Sequence, residues 1–405
     1  MAMMSVADAL ARVLDGAIPL PPESAALNDA HGRVLAADVV ALRTQPPDDL
    51  SAMDGYAVRS ADVAKVPVTL EVVGEVAAGH PFAGKVSDGQ AARIFTGGVV
   101  PPGADTIVIQ ENTKREGNRV TVTTSSPPKK HVRRAGLDFT HGQALLPRGH
   151  RLTERDLMLA AAMSHPTLAV HRRPRVAVLG TGDELRPPGS KLNPGEIIYS
   201  NGFALLAMAR AEGADAIDLG VVADRLDETI AAIRKARAQG ADILLTSGGA
   251  SVGDYDLVQK ALTAEGLALS FWKVAMRPGR PLMHGRLGEM HVIGVPGNPV
   301  SAFVCSLLYL VPLIRRLSGR NDTQPTPESA MLGIDLPGND ERADYLRATL
   351  TLKPDGTLVA TPFPTQDSSM IAALAKADCL IIREPYASPA TASSACAILK
   401  LKSPL

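Results

Sequence analysis

Acids, hydroxyls and small residues gather where apolar runs of this chain end. The densest case is Thr246-Ser247-Gly248-Gly249-Ala250-Ser251-Val252-Gly253-Asp254-Tyr255-Asp256, directly after the apolar run 243–245. That run reads as a buried parallel strand. A strand that ends in Gly248-Gly249 and feeds a helix leaves backbone N–H groups unpaired, and with the helix dipole they suit phosphate. Asp254 and Asp256 cannot hold phosphate directly, so a cation between acid and phosphate is the expected arrangement. Gly248 and Gly253 bracket four residues as in a P-loop, but Asp254 stands where that loop needs Lys, which excludes the P-loop class. Taken alone, a tight turn with solvated acids explains this loop equally well.

Three other strand ends add to it. The run 176–179 ends in Gly180-Thr181-Gly182-Asp183-Glu184; the glycines let the backbone approach a ligand, and Glu184 is placed as metal ligand or proton acceptor. The run 217–222 ends at Asp224, and 290–295 ends in Pro296-Gly297-Asn298-Pro299-Val300-Ser301, a rigid turn presenting a helix N-terminus. Lys273, Arg277 and Arg280 surround Pro278-Gly279 and offer cations to an oxyanion. Singly these are a glycine turn, a helix cap, a rigid turn and a solvated loop. Jointly they fit a Mg²⁺-assisted reaction at a phosphorylated or pyrophosphorylated ligand.

The elements that must carry these loops alternate. Strands are expected over 176–179, 217–222, 243–245 and 290–295, with helices over 203–211, 227–238, 256–264 and 299–317, and a further extended segment over 270–275. The last helix has Asn298 as N-cap, Pro299 at its first position and Gly319 past its end. This order predicts a doubly wound, mostly parallel sheet over 171–322, whose ligands bind at the carboxyl ends of strands. Residues 1–170 read as a helical part, with helices near 6–14 and 153–164, into which an elongated β region of about 45–145 is inserted; strands are expected over 68–72, 106–109 and 120–122. Residues 325–405 read as a small barrel or sandwich, with Leu346, Ala348, Leu350 and Leu352 on one face.

Composition excludes several classes. The 405 residues need two to four domains. Lys+Arg and Asp+Glu both number 42, which argues against bulk capture of nucleic acid or an anionic membrane. Aromatics make up 3%, too few for base-stacking platforms. Lys129, Lys130, Arg133 and Arg134 form a local basic patch of the kind usually found as solvated surface. Cys305, Cys379 and Cys396 form no metal motif and suit a reducing compartment, with packing as their role. The N-terminus reads as an amphipathic helix rather than a signal peptide. The apolar helix at 299–317, interrupted by Pro312 and ending in Arg315-Arg316, reads as a core helix. A cytoplasmic location follows.

The loops also carry a resemblance. Ser51-Ala52-Met53-Asp54-Gly55-Tyr56-Ala57, Phe95-Thr96-Gly97 with 101–105, Arg133 with Gly136 and Asp138, Gly180 to Leu185, Ser247 to Asp256, 273–281 and 296–301 run in the order of the molybdopterin molybdenumtransferase family, which is called MoeA in bacteria and forms the E domain of gephyrin. The chain resembles that family over nearly its whole length. The resemblance implies an α/β multidomain fold with a sheet domain of the molybdopterin-binding type and a C-terminal small β-barrel. It implies a homodimer whose cleft joins the sheet domain of one subunit to the N-terminal β region of the other. It also implies insertion of molybdenum from molybdate into adenylyl-molybdopterin with release of AMP, aided by Mg²⁺, and contact with other cofactor-biosynthesis proteins. On this reading Asp54, Thr96, Arg133, Asp138, Glu184, Asp224, Asp256, Lys273 and Arg277 are catalytic. Thr181, Gly182, Ser247, Gly248, Gly249, Ser251, Gly253, Pro296, Asn298 and Ser301 bind substrate. Arg342, Arg347, Ser368 and Ser369 face molybdate, and Glu184, Asp224, Asp254 and Asp256 hold the cation. The chain departs from the common family pattern at Gly98, Arg277, Arg280 and Asp344, which bears on oxyanion selectivity. Two rival readings are a molybdopterin adenylyltransferase, which would use the same loops, and a non-catalytic scaffold like gephyrin.

Overall fold

Three sheets organise the chain, and the middle one carries the strand ends singled out above. The computed structural model describes residues 3–248 and 257–401. The middle sheet has six strands, in the spatial order Asp215–Val222, Arg175–Thr181, Ile243–Ser247, Met290–Val295, Met283–Leu287, Ala268–Trp272. The first four are mutually parallel, and the last two run antiparallel. From Arg175–Thr181 the chain goes to one side for Asp215–Val222 and then to the other for Ile243–Ser247. The order of strands therefore reverses between Thr181 and Ser247, which opens a crevice at their carboxyl ends.

Burial on both faces explains why these strands read as continuous apolar runs. On one face Ala177, Leu179, Leu244 and Val292 pack with helices Leu226–Ala238 and Leu257–Ala264. On the other, Val176, Val178, Leu245 and Ile293 pack with Leu205, Leu206 and the residues of 299–317. The helix Asn201–Ala211 begins two residues earlier than expected. The stretch Pro299–Leu317 is long and apolar enough to cross a membrane by length and composition, yet 78% of its apolar window is buried inside the protein; it is the central core helix. Pro312 has no N–H to give. One turn earlier the helix widens at Ser306–Leu310, where Val311 N–H bonds Ser306 O five residues back. This wider turn accommodates the proline without breaking the helix.

The strand Met283–Leu287 was not expected. Gly285 and two charged or imidazole side chains break its alternation. Gly285 is required there, because a Cβ would sit 2.7 Å from Ala268 O on the neighbouring strand.

In the N-terminal zone a second sheet runs Thr106–Ile109, Gly55–Val58, Gln90–Ile94, Val68–Val76, Arg119–Val122, Thr113–Glu116. Around it lie the helix Glu154–Ala162, closed by a Thr153–Asp156 capping box, and short strand pairs such as Pro22–Ala26 with Thr167–His171. The opening helix Val6–Leu14 is capped by Ser5, whose Oγ accepts from Asp8 N–H at 3.1 Å. By its contacts this helix belongs elsewhere: Ala9 and Val13 pack with Leu310, Leu313, Leu317, Tyr345 and Leu399, joining the sheet domain to the C-terminal zone.

The C-terminal zone is a closed five-stranded barrel. Ala343–Leu352 pairs with Leu358–Pro362, then come Glu328–Leu332, Ala395–Lys400 and Cys379–Arg383, which returns to Ala343–Leu352. Ala348 is buried inside it with Leu346 and Leu350 partly so. Leu352, expected on the same face, is 67% exposed, because the strand has run past the end of the barrel. Met276–Arg277 adds in parallel to Ala343–Asp344, so a loop of the sheet domain is stitched to the barrel.

Candidate active site

The crevice at the switch point is a cleft of about 730 Å³. Thr181, Gly182, Glu184, Asp224, Ser247, Gly248, Pro296, Asn298 and Ser369 all line it. Gly248 and Leu257, which bracket residues 249–256, line it too. The expected site residues Gly249, Ser251, Gly253, Asp254 and Asp256 lie outside the described residues.

Gly248 has φ +100°, and a Cβ there would stand 2.4 Å from Thr181 O. Glycine is needed both for the backbone and for the close approach of the two strand ends. Among the described residues, the N–H groups just past two strand ends are not free. Gly182 N–H bonds Val222 O at 3.3 Å, and Gly248 N–H bonds Val295 O at 3.4 Å. The ladder continues, weakly, one residue beyond the strands. At the helix N-terminus, Val300 N–H donates to Ser368 O at 3.0 Å, and Asn298 Nδ2 donates to Ser368 Oγ at 3.0 Å. Asn298 occupies the N-cap position, but its side chain does not cap. Ser301 is buried in the first turn and does not line the cleft.

Hydroxyls are spare instead. Thr181 Oγ1, Thr246 Oγ1 and Tyr199 OH are buried without a hydrogen-bond partner among the described residues. Tyr199 is wedged between Gly180 and Gly202, where a Cβ would meet its ring or hydroxyl at 2.6 and 2.2 Å. Burial first, then the nearby Asp218, pushes its phenol up to about 12. It therefore stays neutral at ordinary pH. Sequence reasoning missed Tyr199 and Asn201. Asn201 Nδ2 donates to Ser247 Oγ at 2.9 Å and to Gly297 O at 2.7 Å. The readable signal was Ser200-Asn201-Gly202, a polar break before an apolar helix.

The acids crowd. Asp224 N–H donates to Asp183 Oδ1 at 3.0 Å. Burial, and beyond it the charges of Asp183 and Glu184, hold the Asp224 carboxyl above its ordinary value. None of the three forms an ion pair among the described residues. A patch of uncompensated carboxylates in a cleft is a fit for a cation.

The expected cationic residues are mostly engaged. Arg277 makes a bidentate pair with Asp344, Nε to Oδ1 and Nη2 to Oδ2 both at 2.8 Å, and approaches Asp340 at 3.6 Å. It does not line the cleft. Arg342 is bound to Asp340. Arg347 is 1% exposed and donates to Gln366 Oε1, Met370 O and Thr365 O. It pins the loop that carries Ser368 and Ser369. These arginines, expected at an oxyanion, are each held by carboxylates or carbonyls in the chain itself. Lys273, at φ +86°, is half-buried, its N–H on Leu282 O, and is not among the lining residues.

The N-terminal candidates form their own exposed rim. Thr96 N–H and Oγ1 both donate to Asp54 Oδ1 at 2.8 Å, and these two bonds hold the Asp54 carboxyl below its ordinary value. Leu50–Ser51 lies between 96–98 and Val132–Arg133: Gly97 N–H bonds Ser51 O, and Arg133 pairs with Leu50. Asp138 is exposed, its N–H on Gln45 O. None of these four lines the cleft.

Comparison with known proteins settles the kinship. Family models described as "MoeA N-terminal region (domain I and II)", "Probable molybdopterin binding domain" and "MoeA C-terminal region (domain IV)" match residues 4–164, 177–316 and 329–399. The molybdopterin molybdenumtransferase of a Nostoc species is 43% identical over 331 residues, 80% of this chain and 76% of that protein. The chain belongs to the MoeA family. The Haemophilus influenzae molybdopterin molybdenumtransferase is 34% identical over 386 residues, covering 94% of this chain and 95% of its own length. A crystal structure of the molybdopterin biosynthesis MoeA protein from Pyrococcus horikoshii superposes with a TM-score of 0.85 at 29% identity, covering 99% of this chain and all of that one. A MoeA chain thus has its switch-point cleft in the segment matched by the molybdopterin-binding model, flanked by the barrel loop of Ser369.

Proposed function

We propose that this chain is a molybdopterin molybdenumtransferase, inserting molybdenum into the molybdopterin dithiolene in molybdenum cofactor biosynthesis. The observation that carries the reading is the convergence of Thr181, Glu184, Asp224, Ser247 and Asn298 on one cleft in a chain that belongs to the MoeA family. The substrates are adenylyl-molybdopterin and molybdate, and AMP leaves.

Spare hydroxyls of Thr181 and Tyr199, which line the cleft, donate to phosphate or anhydride oxygens, and the walls from Gly248 and Pro296 keep the anhydride between them. Asp224, its carboxyl held above its ordinary value by burial and acidic neighbours, and Glu184 bring two carboxylates to the cleft as acceptors for the proton of the attacking group. Glu184 and Asp224 are the residues that would hold Mg²⁺. Among the described residues no three carboxylate, imidazole or thiol groups converge as a closed shell. Mg²⁺ does not need one, since it usually takes one or two carboxylates with substrate phosphates and water. When bound it neutralises phosphate charge.

The Asp54–Thr96 rim completes the site from a second copy of the chain, in a homodimer. Mixing the impaired Asp54→Asn and Asp224→Asn proteins is expected to raise turnover above that of either alone through hybrid dimers, and a mixture no more active than its parts counts against shared sites. The test of the function itself is to supply adenylyl-molybdopterin, molybdate and Mg²⁺ and follow AMP together with active cofactor. Matched yields are expected. Formation of adenylyl-molybdopterin from ATP and molybdopterin, with no cofactor made, would reverse the assignment.

A further inference from the structure

Asn201 starts a helix, lines the cleft, and touches the ends of two different strands. Its Nδ2 donates one hydrogen to Ser247 Oγ and the other to Gly297 O. A carbonyl oxygen can only accept, so Gly297 O fixes which end of the carboxamide faces it. Both amide hydrogens are then spent on holding loops, and Oδ1 is left as an acceptor. The two loops it joins are close: a Cβ on Gly297 would come within 3.8 Å of the Gly248 Cα. Among the described residues the parallel ladder pairs Ser247 with Val295 and Gly248 N–H reaches Val295 O at 3.4 Å, and Asn201 adds a side-chain tie from that strand end to the turn beyond Val295. Ser247 is 3% exposed, so its hydroxyl has few alternative partners.

We propose that Asn201 is a positioning residue of the reaction: its carboxamide sets the spacing between the Ser247–Gly248 strand end and the Pro296–Pro299 turn, and so the width of the cleft where the substrate's phosphates lie. It acts through those two loops and touches no reacting atom. The proposal rests on the function given above only for its kinetic arm.

Asn201→Asp keeps the shape and removes both donors, leaving an anion against Gly297 O. Losing the donors to buried partners is expected to lower kcat/KM for adenylyl-molybdopterin by about 10- to 100-fold, with half-saturation for molybdate changed less than about twofold. Ser247→Ala and Asn201→Ala both remove the Asn201–Ser247 contact, so their combined loss is expected to be smaller than the product of the single losses. Wild-type kinetics in Asn201→Asp, equal damage to both substrates, or multiplicative losses in the double variant each overturn the proposal. The structural arm does not depend on the reaction. Crystals of Asn201→Asp and wild type are expected to differ in the Gly248–Gly297 separation, and an unchanged separation overturns the proposal even if the wild-type protein proves to have another substrate.

Discussion

The cleft and the barrel junction hold similar inventories of charged residues and treat them in opposite ways. At the cleft, Glu184 and Asp224 lie beside Asp183 with no ion pair among the described residues, and the hydroxyls of Thr181 and Tyr199 lack partners there. At the junction, Arg277, Arg342 and Arg347 are each met by carboxylates or carbonyls. Spare bonding capacity is costly in a folded chain unless a ligand uses it. The contrast therefore separates residues kept for a ligand from residues kept for shape, a distinction that residue type alone does not make.

The largest expected effect tests the shape side. Arg347→Ala removes a buried guanidinium and leaves Met370 O and Thr365 O without its donors. It is expected to cost about 3 kcal/mol in stability by urea unfolding, with the Ser368–Ser369 loop released from helix Pro299–Cys305. An unaltered midpoint would mean the junction arginines are as spare as the cleft acids.

Next comes the ligand side. Asp224→Asn is expected to lower kcat/KM for AMP release by about 100-fold while leaving stability equal or higher, because it removes like-charge crowding. The pH dependence has a definite sign. Asp224 has a folded pKa above its unfolded one, so the stability contributed by its protonated form is present below the ordinary carboxylate range. That contribution is lost as pH rises through the raised value. Wild type should therefore lose stability relative to Asp224→Asn across that interval, and a gap that is flat with pH would remove the crowding argument.

A smaller effect sharpens the boundary. Arg277 is 48% exposed in its side chain, so Arg277→Gln is expected to cost about 1 kcal/mol or less and to leave the half-saturation for molybdate nearly unchanged. A large rise in that value with stability intact would return Arg277 to the oxyanion role its sequence context suggested. Smaller still is Thr96→Val at the N-terminal rim. The backbone N–H bond to Asp54 survives it, and the expected result is a modest upward shift of the Asp54 carboxyl, measurable by NMR titration.

The fold was legible where burial imposes a pattern. Ile243–Ser247 and Met290–Val295 are apolar on both faces, and such strands leave a plain run in the sequence. The strand Met283–Leu287, inside the sheet between Met290–Val295 and Ala268–Trp272, left none, because Gly285 is set by the neighbouring backbone and not by a core face. Leu352 misled for the reverse reason: alternation persists in sequence after the barrel has ended. At the site, Gly248 and Asp224 could be read from their place after strands. What could not be read was where hydrogen bonds go. Ser368, seventy residues from Asn298, takes the helix N–H of Val300, and Asp344, sixty-seven residues from Arg277, takes its guanidinium. Asn201 is forty-six residues from Ser247 in sequence. Such pairings depend on tertiary register, which local pattern does not encode.

The most direct measurement is a crystal structure of the protein with AMP, Mg²⁺ and molybdate. The phosphate of AMP is expected within hydrogen-bond reach of Thr181, between the Ser247–Gly248 end and the Asn298 turn, with the cation on Glu184 and Asp224. AMP seated outside that cleft, with Thr181, Glu184 and Asp224 untouched, would contradict the account.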